Sequence, residues 1–153
     1  MVNRSLHKLR EIKQMHPLVN IAVSAARQAS RVILHAMDNK DKIKASIKGP
    51  NDFVSNVDQK AEKTIIDIIH AAYPEHSILA EESGELVGKN EITWIIDPLD
   101  GTTNFLYDLP HFAISIAVAE KGRIQHGVIF NPIRDEMFIA SRGRGATLNG
   151  RRL

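Results

Sequence analysis

The run ITWIIDPL at residues 92–99 constrains the fold most, because it is strongly apolar yet ends in acid and passes at once into DGTTNF. Its length, bulk and β-branched content fit a buried strand. Two carboxylates, Asp97 and Asp100, bracket Pro98 at its end. The proline stiffens the link between them. A kinked backbone here can aim both carboxylates into one small volume, and the intervening Leu99 can offer its carbonyl there too. All of these donors are hard oxygens, the type Mg²⁺ prefers in octahedral ligation at about 2.0–2.1 Å. Gly101 allows the backbone to approach a ligand closely. Thr102 and Thr103 add hydroxyls and amides, and a helix beginning there would present its N-terminus to a phosphate. A plain turn competes with this reading, since Asp-Pro and Asp-Gly are ordinary turn formers.

A second apolar run, SILAEE at residues 77–82, also delivers acids at its end, Glu81 and Glu82. Adjacent acids are usually a solvated surface. Asp58 lies near the start of a predicted helix, where it could simply complement the helix dipole. Each feature alone is bland. Together they place carboxylates at the ends of buried elements, which is costly unless those carboxylates bind something.

The remaining pattern predicts two helices and a β-meander. Pro17 suits the first turn of a helix, and Leu18, Ile21, Ala22, Ala25, Ala29, Val32, Ile33 and Ala36 fall on one face. Residues 38–51 read as a lysine-rich loop with a short strand around Ile43 to Ile47. Lys48 can reach a phosphate from that loop, although a solvated lysine is the simpler reading. A second helix begins near Ser55 and buries Val57, Ala61, Ile65, Ile68 and Ala72, with Lys63 and Asp67 paired on its exposed side. Ile114, Ile116 and Val118 then open the meander, with turns at Lys121-Gly122 and Asn131-Pro132. Asn149-Gly150 signals a tight hairpin turn. Its last strand starts at Arg151, two residues before the sequence stops.

Composition excludes several classes. Apolar residues at 43 % and charged residues at 25 % indicate a soluble globular chain. A net charge of only +2 gives no clustered basic surface, so direct nucleic-acid binding is not expected. No apolar run approaches the roughly 20 residues a membrane span needs. The chain has no cysteine, which removes thiolate chemistry and fits the cytoplasm. The seven histidines lack metal-ligand spacing and read as surface or boundary residues, while Tyr107 and Phe112 read as packing residues. Residues 1–14 form a basic extension ahead of a domain spanning 15–153.

Three ordered stretches carry a resemblance: NDFVSNVDQKAE at 51–62, ILAEESGE at 78–85 and WIIDPLDGTTNF at 94–105. They resemble successive motifs of the inositol monophosphatase family, in its bacterial SuhB-like branch, and LPHFAISIAV and SRGRGATLNG fit the same pattern. Ser55 stands where the family often has threonine. The resemblance implies a layered α/β sandwich with an antiparallel sheet and a helix pair. It implies Glu81, Asp97, Asp100 and the Leu99 carbonyl as Mg²⁺ ligands, with Asp97 bridging two ions. Glu81, Leu99, Asp100, Gly101 and Thr102 would line the substrate phosphate, and Thr102 with Asp58 would position and help deprotonate the attacking water. The implied reaction is hydrolysis of an inositol monophosphate, sensitive to lithium. Sibling enzymes acting on sugar bisphosphates or nucleotide 3′-phosphates share these motifs. The resemblance also leaves room for a homodimer and for a non-catalytic role beside the transcription machinery. Family members carry a second half with another metal-binding Asp in a Trp-Asp motif; the one Trp here, Trp94, is followed by Ile95. The chain alone is therefore expected to be weakly active or inactive.

Overall fold

The computed structural model describes residues 15–39 and 50–153. The expected extension over 1–14, the short strand near Ile43 to Ile47 and Lys48 all lie outside the described residues.

Helix α1 spans Pro17–Asp38. His16 caps it, its Nδ1 accepting from the Leu18 N–H at 3.2 Å. At the far end the Asn39 side chain donates to the His35 carbonyl at 2.8 Å. Its buried face is mostly small: Val19, Ala22, Ala25, Ala26, Ala29, Ile33 and Ala36. Such a face lets a second helix approach closely. That partner is α2, Pro50–Ala72.

The second helix begins five residues earlier than expected, at Pro50, whose fixed φ and missing N–H suit a first turn. Val57, Ala61, Ile65 and Ile69 are its buried apolar stripe. The sequence-based choice of Ile68 and Ala72 is corrected here: Ile68 is partly buried and Ala72 is exposed. Steps of four from Val57 lead to Ile69, so the face drifts one position from the expected one. Lys63 and Asp67 do pair, at 2.6 Å, with both side chains well exposed.

One eight-stranded sheet carries the rest, in the order β2-β1-β3-β4-β5-β6-β7-β8. The strands are β1 Ser77–Ala80, β2 Gly84–Leu86, β3 Ile92–Asp100, β4 Ala113–Glu120, β5 Arg123–Asn131, β6 Glu136–Ser141, β7 Gly145–Leu148 and β8 Arg151–Arg152. A short helix, α3 (Thr102–Leu106), links β3 to β4. All pairings are antiparallel except β1 with β3. The sequence pattern does not announce β2; it is a three-residue return over GEL, too short to show an alternation. Asn149-Gly150 makes the expected turn into β8, both residues at positive φ.

Both helices cover one face of the sheet, α1 against β4 and β5 and α2 against β3. Ile78, Trp94, Ile96, Ile114, Ile116, Val118, Val128 and Phe130 belong to that core. Trp94 is fully buried, and its indole N–H donates to His76 Nδ1 at 2.9 Å. His76 is therefore a buried residue stacked on Tyr73 rather than a surface one. Phe112 packs edge-on against Phe105 as expected, whereas Tyr107 is exposed. On the opposite face the register aligns Leu79, Ile95, Ala117, Gly127, Ala140 and Ala146 in one row. Leu79 and Ile129 are about half exposed on this side, at 46 % and 48 %.

Candidate active site

The acids that the sequence marks come together at one end of the sheet, and the backbone explains how. In the parallel pairing of β1 with β3, Leu79 lies opposite Ile95 and Ala80 opposite Ile96. One further step places Glu81 beside Asp97. Glu81 lies close enough to raise the Asp97 carboxyl through its charge and a side-chain hydrogen bond. Parallel pairing is what makes two strand ends coincide; an antiparallel pair would send these acids to opposite ends of the sheet.

Asp97 and Asp100 are three residues apart, so in a regular strand they would face opposite sides. The ladder with β4 removes that conflict. Asp97 pairs with Ser115 and Asp100 with Ala113, so three steps along β3 match two along β4. The extra residue is a β-bulge at Pro98-Leu99, where the proline cannot supply a ladder N–H. Ser115 and Ala113 lie on the same face of β4, and the bulge therefore brings both carboxylates to one face. Asp97 is half-buried and accepts from the Leu99 N–H at 3.1 Å, which fixes the bend locally. Asp100 is exposed.

Beyond the bulge the chain turns through Gly101 at φ 95° into α3. A Cβ at this glycine would meet the His111 carbonyl oxygen at 3.0 Å and Phe112 Cα at 3.2 Å. The Thr102 hydroxyl donates to the Leu99 carbonyl at 2.9 Å. Thr102 and the Leu99 carbonyl, both marked in the sequence, therefore touch.

From the other side α2 presents Asp58 and Glu62, one turn apart and only 6 % and 3 % exposed. Asp58 is pushed up to about 7, first by burial and then by the charges of Glu82, Glu81, Asp97 and Glu62. Asp97 is pushed up to about 6 by burial, by Glu81 and by Asp100, against the opposing Leu99 N–H. Burial, Glu62 and Glu81 raise Glu82 as well. Among the described residues no Lys or Arg forms an ion pair with any of these acids. The cluster is thus under electrostatic tension that a cation would relieve. Among the described residues no group of three or more His, Cys, Asp or Glu side chains is arranged so as to hold a metal ion.

Sequence reasoning missed Glu62. A signal for it exists: Asp58 and Glu62 follow Val57 and Ala61 at the same four-residue spacing, which places them beside the buried stripe rather than in solvent.

The architecture is thus a helix pair on one face of an eight-stranded, mostly antiparallel sheet, with acids gathered at the ends of β1 and β3. The chain belongs to the inositol monophosphatase family, which it matches over residues 14–153. It is 56 % identical over 140 residues to the Nus factor SuhB of Escherichia coli K12, covering 91 % of this chain and 52 % of that protein. Among solved structures it resembles the extragenic suppressor protein suhB from Bartonella henselae, with a TM-score of 0.80 at 43 % identity, covering 90 % of this chain and 53 % of the other. An inositol monophosphatase from Anabaena gives a TM-score of 0.75 at 39 % identity, covering 89 % of this chain and 48 % of the other. The chain therefore spans about half the length of the curated relatives it matches. No described helix is long and apolar enough to cross a membrane.

Proposed function

We propose that the chain supplies the metal- and phosphate-binding wall of a Mg²⁺-dependent phosphate monoester hydrolase, acting in the cytoplasm on inositol monophosphate. The observation that carries this reading is the convergence of Glu81, Asp97 and Asp100, achieved by a parallel pairing and a bulge and left without a described countercation.

The donor set fits Mg²⁺. Glu81, Asp97, Asp100 and the Leu99 carbonyl would hold it, all through oxygen, with Asp97 able to serve two ions. When bound, the metal supplies positive charge to the phosphate and acidifies a water. The chain's own groups do the rest. Asp58, which lies among these carboxylates, would accept a proton from the attacking water. The Thr102 hydroxyl, tethered to Leu99, orients that water. The backbone from Leu99 through Gly101 to Thr102 receives the phosphate, with Glu81 and Asp100 lining the substrate side. Attack is direct and in line, with no covalent intermediate on the protein. Lithium inhibition and homodimerisation belong to the same reading.

Calorimetric titration with Mg²⁺ or Mn²⁺ tests the site independently of turnover. The reading requires binding that Asp97→Asn weakens strongly; binding that is absent, or indifferent to this change, overturns it. Phosphate release from inositol 1-phosphate, a sugar bisphosphate and a nucleotide 3′-phosphate then sorts the substrate class. Turnover by the 153-residue chain alone is expected to be weak, since it spans about half the length of its relatives.

The name Nus factor, carried by a relative of high identity, supports a second reading: a non-catalytic partner of the transcription machinery. A cellular phenotype that survives Asp97→Asn in a folded protein favours this second reading; one that is lost favours catalysis.

A further inference from the structure

Glu62 is the most deeply buried carboxylate among the described residues, at 3 % exposed, and no described Lys or Arg pairs with it. Its charge is satisfied by the turn that follows β1. Oε2 accepts from the Glu82 N–H at 2.8 Å, and Oε1 accepts from the Ser83 N–H at 2.9 Å and from the Ser83 hydroxyl. Three donors on two oxygens is strong satisfaction for a buried carboxylate, because each bond is charge-assisted. All three donors belong to the two residues that directly follow Glu81.

We propose that Glu62 is a positioning residue: it clamps the turn leaving β1 to α2 and thereby holds Glu81 beside Asp97. The chain reverses into β2 within a few residues of Ala80, so without a clamp Glu81 would sit on a short exposed turn. The clamp also separates two roles along one helix face. Asp58, a turn earlier, lies among the converging acids, while Glu62 is consumed by the backbone it holds. Its electrostatic cost is accepted at a place where any apolar side chain would leave two amides without their acceptor. This inference rests on the metal reading above for its functional consequence, and on geometry alone for the clamp.

The test uses Glu62→Gln in the full chain, with two measurements. Amide hydrogen exchange at Glu82 and Ser83, followed by NMR, reads the clamp. Titration with Mn²⁺ reads the position of Glu81. The expected result is faster exchange at both amides and a Mn²⁺ affinity weakened roughly 10- to 100-fold, the range for losing a group that orients a metal ligand. Ser83→Ala removes only the hydroxyl donor and should give a smaller loss in the same direction, which serves if Glu62→Gln folds poorly. Unchanged exchange in a folded variant overturns the proposal. So does faster exchange with Mn²⁺ affinity intact, because the turn would then be structural only. If the parent chain binds no Mn²⁺ while Glu62→Gln still loosens the turn, the clamp stands and the phosphatase reading falls.

Discussion

Glu81 sits beside Asp97 because β1 and β3 run parallel and in register, and its charge helps to raise the Asp97 carboxyl. Like charges held this way destabilise a fold unless a cation intervenes. In the proposed metal site the arrangement therefore sets stability against function at a single pair of residues. Asp97→Asn should raise the melting temperature of the metal-free chain, since it removes the repulsion with Glu81 and Asp100. The same change should abolish most of the stabilisation that added Mg²⁺ gives the parent. Thermal unfolding with and without Mg²⁺ measures both effects. A variant that loses stability in the absence of metal would show that Asp97 is an ordinary structural acid.

A pH dependence follows from Asp58 and Asp97. Both carboxyls ionise at higher pH in the folded chain than their ordinary value near 3.8, about 7 for Asp58 and about 6 for Asp97. Between about pH 4 and pH 7 the folded state thus binds more protons than the unfolded one. The metal-free chain loses stability as pH rises through that window. His76 and His126 act in the opposite sense, because burial lowers both and their protonation at acid pH disfavours the fold. The carboxylate effect is isolated by subtraction. Asp58→Asn should gain stability relative to the parent at pH 8 and gain little at pH 5, read from urea unfolding at each pH. Saturating Mg²⁺ should flatten the parent's slope, since the cation competes with protons for the same oxygens.

The indole of Trp94 and the imidazole of His76 form a buried pair with a defined tautomer. The Trp94 N–H donates to Nδ1, so the proton of neutral His76 is on Nε2. Trp94→Phe keeps most of the apolar bulk and leaves Nδ1 without its donor. The expected loss is about 1–3 kcal/mol in urea unfolding, the usual cost of stranding a buried polar atom. A loss no larger than the change in side-chain volume explains would mean that water replaces the indole.

Much of this architecture is legible in the sequence because its signals are local. The stripes of α1, the alternation of β4 and the turns at Lys121-Gly122 and Asn149-Gly150 need only neighbours a few residues away. The pattern offers Ile68 in place of Ile69 because a four-step stripe and a 3.6-residue period separate slowly, and a single helix does not show which neighbour its core-facing side meets. The burial of His76 escapes the sequence because it depends on Trp94, eighteen residues on, and on a strand to which His76 does not belong. The convergence of Asp97 with Asp100 is expected from the sequence, but its cause is not. The register shift against β4 is a property of two strands and cannot be read from one. The spacing of Glu62 from Asp58 signals its burial, but its partners are mainly amides, which have no sequence signature.

Gly101 links the fold to the proposed phosphate site most directly. At φ 95° it occupies a region that side chains rarely adopt, and a Cβ there would press on backbone atoms of His111 and Phe112 rather than on a flexible side chain. Gly84 is a natural comparator, since it also has positive φ, 73°, but an added Cβ would meet nothing within 4 Å. Gly84→Ala should therefore cost only the backbone term, about 1 kcal/mol. Gly101→Ala should cost more, about 1–3 kcal/mol, from strain and contact together. Urea unfolding of the two variants separates the contributions. The displacement at Gly101 should also pull the Thr102 hydroxyl away from the Leu99 carbonyl, because Gly101 and Thr102 are adjacent in the chain. In a chain that turns over inositol 1-phosphate, Gly101→Ala should then lower kcat by more than its stability loss accounts for, whereas Gly84→Ala should leave kcat unchanged. Equal effects of the two variants on kcat would remove Gly101 from the site and leave it a turn residue.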